Sequence, residues 1–149
     1  DAGEVPEPTV VAAQIGVGAL SAAVMRAFAR RPARLLVGVE PTEAACVTES
    51  VRAGRLVSVA AEGTTCMAGL NCGTPSVSAF ESNLRGCDAL VTIDDEYADG
   101  IDAGESGAAG LAGLLAQGAG LGLTASDVVL VVLTERPTDP ASFARIIGK

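Results

Sequence analysis

The sequence predicts an α/β domain, a mainly parallel sheet flanked by helices. Three observations carry that prediction. Hydrophobic residues make up 49% of the 149 positions and aromatic residues only 3%, with no tryptophan, so the core is built from Val, Leu, Ile and Ala. Aliphatic strands covered by helices suit that supply better than an antiparallel sandwich does. Short apolar, β-branched runs also alternate with segments of helical period, which implies parallel pairing through right-handed crossovers. The length and a mean hydropathy of +0.42 fit one domain with a sizeable core.

TVVAAQ (9–14) reads as a buried strand and ALSAAVMRAFARR (19–31) as an amphipathic helix ended by Pro32. Gly16, Val17 and Gly18 stand between them. Two glycines one residue apart let the backbone turn sharply and approach a ligand closely. Amides at a helix start seat an anion, most often a phosphate. Glycine at such a turn also serves packing alone, so both readings stand.

ARLLVGVEP (33–41) returns as a second strand, stopped at Pro41, and TEAACVTESVRAG (42–54) as a helix from Thr42 to Gly54. Residues 55–76, punctuated by Gly63, Gly69, Gly73 and Pro75, read as a loop or pocket wall. VSAFESNLRG (77–86) is a helix, CDALVTID (87–94) a strand and DDEYAD (94–99) a short acidic helix start. ESGAAGLAGLLAQG (105–118) is a helix whose Ala and Gly suit very close packing. DVVLVVL (127–133) is the strongest strand, ending at Thr134, and ASFARIIGK (141–149) closes as a helix. No repeat recurs at a solenoid period.

Composition excludes several functions. A net charge of −8 without a basic cluster argues against nucleic acid and anionic membranes. No apolar run nears the roughly 20 residues of a membrane span, and no signal peptide opens the sequence, so a cytoplasmic location is expected. Cys46, Cys66, Cys72 and Cys87 form no CxxC pair and there is no histidine, so no metal is expected. The cysteines read as buried free thiols. Lys149, the last residue, is the only lysine, and the sequence opens on Asp1 rather than Met, as a piece of something longer would.

One candidate phosphate belongs to a dinucleotide. Gly16 and Gly18 fit the first two positions of GxGxxG, but Ser21 holds the third. Glu40 ends the second strand, where a ribose-binding carboxylate would stand. A solvated strand end before a proline turn accounts for Glu40 equally well.

From about residue 65 the sequence resembles the diaminopropionate ammonia-lyase family of fold-type II pyridoxal-phosphate enzymes, alongside threonine dehydratases and tryptophan synthase beta chains. The resemblance rests on MAGLNCGTPS (67–76), DALVTIDDEYA (88–98), AGESGAAGLAGLL (103–115) and LTERPTDP (133–140), with GVGAL and VEPTEAACVTESVRAGR fitting in order upstream. It covers nearly the whole chain, as a C-terminal portion, and implies the large domain of that fold.

The resemblance makes Gly16, Val17, Gly18, Ala19 and Leu20 the cup for the phosphate of pyridoxal 5'-phosphate. Ala19, where the family has a further Gly, requires a negative φ. Thr134 would face the pyridine nitrogen, a partner that cannot hold it protonated as an aspartate would; ending the strand by bonding the turn is its other reading. Glu105 and Ser106 would line the cofactor pocket or cap their helix. Asn71, Cys72, Gly73 and Thr74 would belong to the substrate pocket wall, with Cys72 an inert thiol rather than a nucleophile.

The family's Schiff-base lysine and acid/base aspartates belong to an N-terminal portion that these 149 residues lack, so no catalytic residue is assigned here. The stretch between Tyr97 and Gly104 is shorter than in the family, and Arg136 stands where the family's turn has Gly. The implied function is α,β-elimination of 2,3-diaminopropionate, or a similar β-substituted amino acid, to pyruvate and ammonia. The implied partners are a small amino-acid substrate, a second chain carrying the N-terminal half, and a second copy in a homodimer of the complete enzyme. The alternatives are a non-catalytic ligand- or partner-binding remnant of the fold and a small dinucleotide-binding domain.

Overall fold

The computed structural model describes residues 6–31, 33–61, 65–98, 101 and 103–135. Pro32, Arg136, Lys149, the 141–149 helix expectation and parts of the 99–102 stretch lie outside them. In chain order the elements are β1 (Val10–Gln14), α1 (Ala19–Phe28), β2 (Leu35–Pro41), α2 (Cys46–Ala53), α3 (Val77–Gly86), β3 (Ala89–Ile93), α4 (Glu105–Gln117) and β4 (Val129–Val131). The strands form one sheet in the order β3-β2-β1-β4, and every pairing is parallel.

Side chains alternate across β1 because strand residues point to opposite faces in turn. Val10 and Ala12 pack with Val37, Val39, Val91 and Ile93 beneath Ala109, Ala112 and Leu114 of α4. Val11 and Ala13 pack on the other face with Leu36 and Met25 of α1. The small residues of α4 let it lie close to the sheet: a Cβ at Gly113 would come 2.6 Å from Cγ2 of the fully buried Val39.

The opposite, N-terminal rim of the sheet is stitched by Asp127. Its carboxylate accepts from the Thr124 amide at 2.8 Å, the Thr9 hydroxyl at 2.8 Å and the Arg34 guanidinium at 2.9 Å. Those bonds, the Thr124 amide first, hold its carboxyl well below the usual carboxylate range.

Two expectations change. The apolar run 127–133 pairs with β1 only over Val129–Val131, and β4 is an edge among the described strands. Val129, Leu130 and Leu133 are exposed, while Val131 packs against the core cluster. The helix expected from Thr42 begins instead at Cys46, after a single 3-10 turn at Thr42–Ala44.

Glu40 explains that start. It is fully buried, and its Oε1 and Oε2 accept from the amides of Val47 and Thr48 at 2.8 and 2.6 Å. The carboxylate thus fills the first turn of α2, where helix amides lack partners. It is neither a solvated strand end nor open to a ribose. The cysteines also differ from expectation at one position, since Cys66 is exposed while Cys46 is buried and Cys72 and Cys87 are half-buried.

Gly113→Ala is expected to destabilise the domain by about 1–3 kcal/mol, since stiff Val39 must give way to the new methyl. Leu115→Ala, on the exposed side of α4, is expected to cost within about 0.5 kcal/mol. Urea denaturation of both variants checks this, and equal losses would contradict it.

Burial raises the pKa of Glu40 above the ordinary 4.5, more than its bonds to α2 lower it. Its stabilising contribution is therefore full below the unfolded value and is lost as pH rises through the higher folded value. The melting-temperature advantage of wild type over Glu40→Gln should be largest in acid and shrink as pH increases. An advantage that grows with pH would contradict the burial argument.

Candidate functional site

Parallel pairing sets the C-terminal ends of the strands along one rim, the usual location of ligand sites in open α/β sheets. A cavity of about 520 Å³ opens there, within the range of small-ligand sites. The segment Gly16–Leu20 after β1, Thr134 and Glu135 after β4, and Gly69, Leu70 and Cys72 from the long loop all line it. Gln14 and Ser106 complete the wall.

The turn from β1 to α1 is made by Gly18, at φ 91°, a left-handed conformation that side chains rarely adopt. Ala19 has the negative φ it needs, since only glycines have positive φ among the described residues. The Gly18 carbonyl accepts from the Ala22 amide at 3.0 Å, the Ser21 hydroxyl at 3.1 Å and Nδ2 of Asn83 at 2.9 Å. Asn83, fully buried on α3, also donates to the Ala79 carbonyl and accepts from the Ser21 hydroxyl at 2.7 Å. A Cβ at Gly18 would lie 2.6 Å from Asn83 Nδ2, so position 18 is not the tolerant surface turn a glycine loop suggests.

With the Gly18 carbonyl held inward, the amides of Gly16, Gly18, Ala19 and Leu20 have no acceptor among the described residues. A Cβ at Gly16 would come 3.1 Å from the Gly69 carbonyl and 3.2 Å from Cys72 Sγ, so glycine keeps this turn against the loop.

The three helices that follow β1, β2 and β3 begin on this rim, and they differ in one respect. Glu40 fills the first turn of α2. Oε1 of Glu135 accepts from the Gly107 amide at 3.1 Å in the first turn of α4. Among the described residues, no carboxylate does so for α1. Its free amides fit a phosphate ester from outside the chain.

Thr134 Oγ1 accepts from Nε2 of Gln14 at 2.8 Å. Ser106 lines the cavity and its Oγ accepts from the Gly69 amide at 2.9 Å, whereas Glu105 is not among the lining residues. Of the expected substrate wall, Cys72 alone lines the cavity. Asn71 has a buried Oδ1 without a partner, the Gly73 carbonyl accepts from the Val59 amide, and the Thr74 hydroxyl bonds Ser58. Burial pushes the Cys72 thiol up, against a smaller opposite effect of the Val17 amide, which leaves it protonated and unreactive near neutrality.

Gln14, Asn83 and Glu135 escaped the sequence reading. A polar residue closing the apolar run VVAA was the available signal for Gln14. Asn83 sits in a segment of mixed polarity where nothing distinguishes it, and Glu135 was hidden in a polar turn.

The family model for pyridoxal-phosphate dependent enzymes matches residues 1–135. Diaminopropionate ammonia-lyase of Escherichia coli strain K12 is 32% identical over 167 residues, which cover 94% of this chain and 42% of that protein. The chain thus spans less than half the length of that curated relative. Among solved structures, diaminopropionate ammonia lyase from Escherichia coli in complex with an aminoacrylate-PLP azomethine reaction intermediate is 27% identical, with a TM-score of 0.80 over 95% of this chain and 42% of that one. The threonine deaminase of T.th. is 26% identical, with a TM-score of 0.78 over 89% of this chain and 50% of that one. With a match over nearly its whole length and the same parallel architecture, the chain belongs to the family of pyridoxal-phosphate dependent enzymes.

Proposed function

We propose that this chain forms the phosphate and pyridine side of a pyridoxal-phosphate-dependent ammonia-lyase that acts on 2,3-diaminopropionate or a similar β-substituted amino acid. One observation carries the reading: the start of α1 lines the cavity, and no described carboxylate of the chain fills its first turn. The amides of Gly16, Gly18, Ala19 and Leu20 would hold the phosphate, with Val17 on the same wall. Thr134 would meet the ring nitrogen. Ser106 and Cys72 would bound the ring and the substrate, while Glu105, Asn71, Gly73 and Thr74 would act from behind that wall.

When bound, pyridoxal phosphate supplies an electron sink that stabilises negative charge on the substrate's α carbon. The chain's own share is to orient that sink and to keep a neutral hydroxyl, not a carboxylate, at the ring nitrogen. Elimination would remove the α proton and expel the β amine, leaving pyruvate and ammonia after hydrolysis. The lysine that anchors the cofactor would come from the portion of the relatives that this chain does not match, in the same polypeptide or a second one. The complete enzyme would be a cytoplasmic homodimer. Among the described residues, no helix is long and apolar enough to cross a membrane.

Ala19→Asp tests the seat without disturbing the turn. It gives α1 the carboxylate that α2 and α4 already have, which favours the helix by about 0.3–1 kcal/mol. It also sets a like charge against the phosphate, so affinity for pyridoxal phosphate in the full-length protein should fall roughly tenfold or more. Cofactor titration beside a thermal melt reads both effects. Unchanged affinity in a folded variant would overturn the phosphate assignment.

A further inference from the structure

We infer that Gln14 is a positioning residue that presets the Thr134 hydroxyl as a hydrogen-bond donor into the cavity, and so selects a ring nitrogen that carries no proton. The inference rests on the cofactor reading above. Its basis is an anomaly in β1. That strand lies in the interior of the sheet, paired on both sides, and its last residue is a glutamine only 2% exposed. Burying a primary amide is unfavourable unless its groups are hydrogen-bonded. Here Nε2 reaches Thr134 Oγ1 at 2.8 Å, but Oε1 is buried with no partner. That oxygen faces Gly110 of α4, where a Cβ would stand 3.4 Å from it, an ordinary contact. An apolar residue would pack in this position without stranding an acceptor, so what the glutamine provides is the bond to Thr134.

The consequence follows from the inventory of a hydroxyl, which has one proton and two lone pairs. Gln14 donates into one lone pair, so the proton points elsewhere. Among the described residues none accepts it. Glu135, which also lines the cavity, directs Oε1 to the Gly107 amide. An acceptor placed in the cavity would satisfy that proton, and a neutral aromatic ring nitrogen offers one suitable lone pair. Thr134 touches the ring in this arrangement, and Gln14 acts through it.

The experiment measures dissociation constants of the full-length protein for pyridoxal 5'-phosphate and for its carbocyclic analogue, in which C–H replaces the ring nitrogen. Wild type should bind the analogue roughly threefold to tenfold more weakly, the worth of one neutral hydrogen bond. Thr134→Ala should bring that ratio close to one. Gln14→Met, which fills the space without a donor, should lower it. A merely structural role for Gln14 would weaken both ligands equally, and an unchanged ratio overturns the inference.

Gln14→Glu keeps the shape but offers only acceptors when ionised, so it should claim the Thr134 proton and turn a lone pair to the cavity. The ring-nitrogen ¹⁵N resonance of bound cofactor should then move from its unprotonated to its protonated position. No movement overturns the inference, and this variant carries the test should Gln14→Met fail to fold. Wild type that binds neither ligand overturns the cofactor reading itself, an outcome distinct from binding with an unchanged ratio.

Discussion

Parallel pairing of β1 with both β2 and β4 is the constraint on which the site depends. With β3 parallel to β2 as well, it brings the strand ends to one rim, where α1, α2 and α4 all start. The chain solves the electrostatics of two of these starts alike and of the third differently. At α2 and α4 a glutamate from the end of a strand or the turn beyond it accepts from the first helical turn. At α1 the corresponding side chain is Gln14, which turns instead to Thr134. A neutral amide in that position leaves the α1 amides unclaimed and orders the hydroxyl at the other end of the cavity.

The glycine turn has a separate support. Asn83 belongs to α3, far along the chain, yet its amide closes the bonding around Gly18 and Ser21. The glycine turn is therefore a tertiary structure rather than a local one. Its left-handed conformation comes from the absence of a side chain at Gly18, and its orientation comes from a residue 65 positions away.

Much of the fold was legible in the sequence because it depends on local pattern. VSAFESNLRG carried its helix to the residue, and the small residues of 105–118 announced close approach to the sheet. What misled was context. DVVLVVL looks like the best core strand, but only three of its residues find partners on β1. Thr42 has the chemistry of a cap, yet the α2 start is set by Glu40, whose burial no sequence pattern reveals. For the site, the glycine turn and Thr134 were visible as motifs. The partners that orient them were not, because a buried Asn or Gln has the same letter as an exposed one.

The flank of β4, an edge among the described strands, has a consequence for handling the protein. Exposed Val129 and Leu130 on this edge, with exposed Leu133 just beyond it, provide a template on which other copies can add strands. The net charge of −8 opposes such growth by mutual repulsion between molecules, a protection that salt screens and that vanishes near the isoelectric point of about 4.4. Acid favours the buried Glu40 inside each molecule while removing the repulsion between molecules. The stabilising contribution of Glu40 is thus fullest where the molecules cease to repel one another.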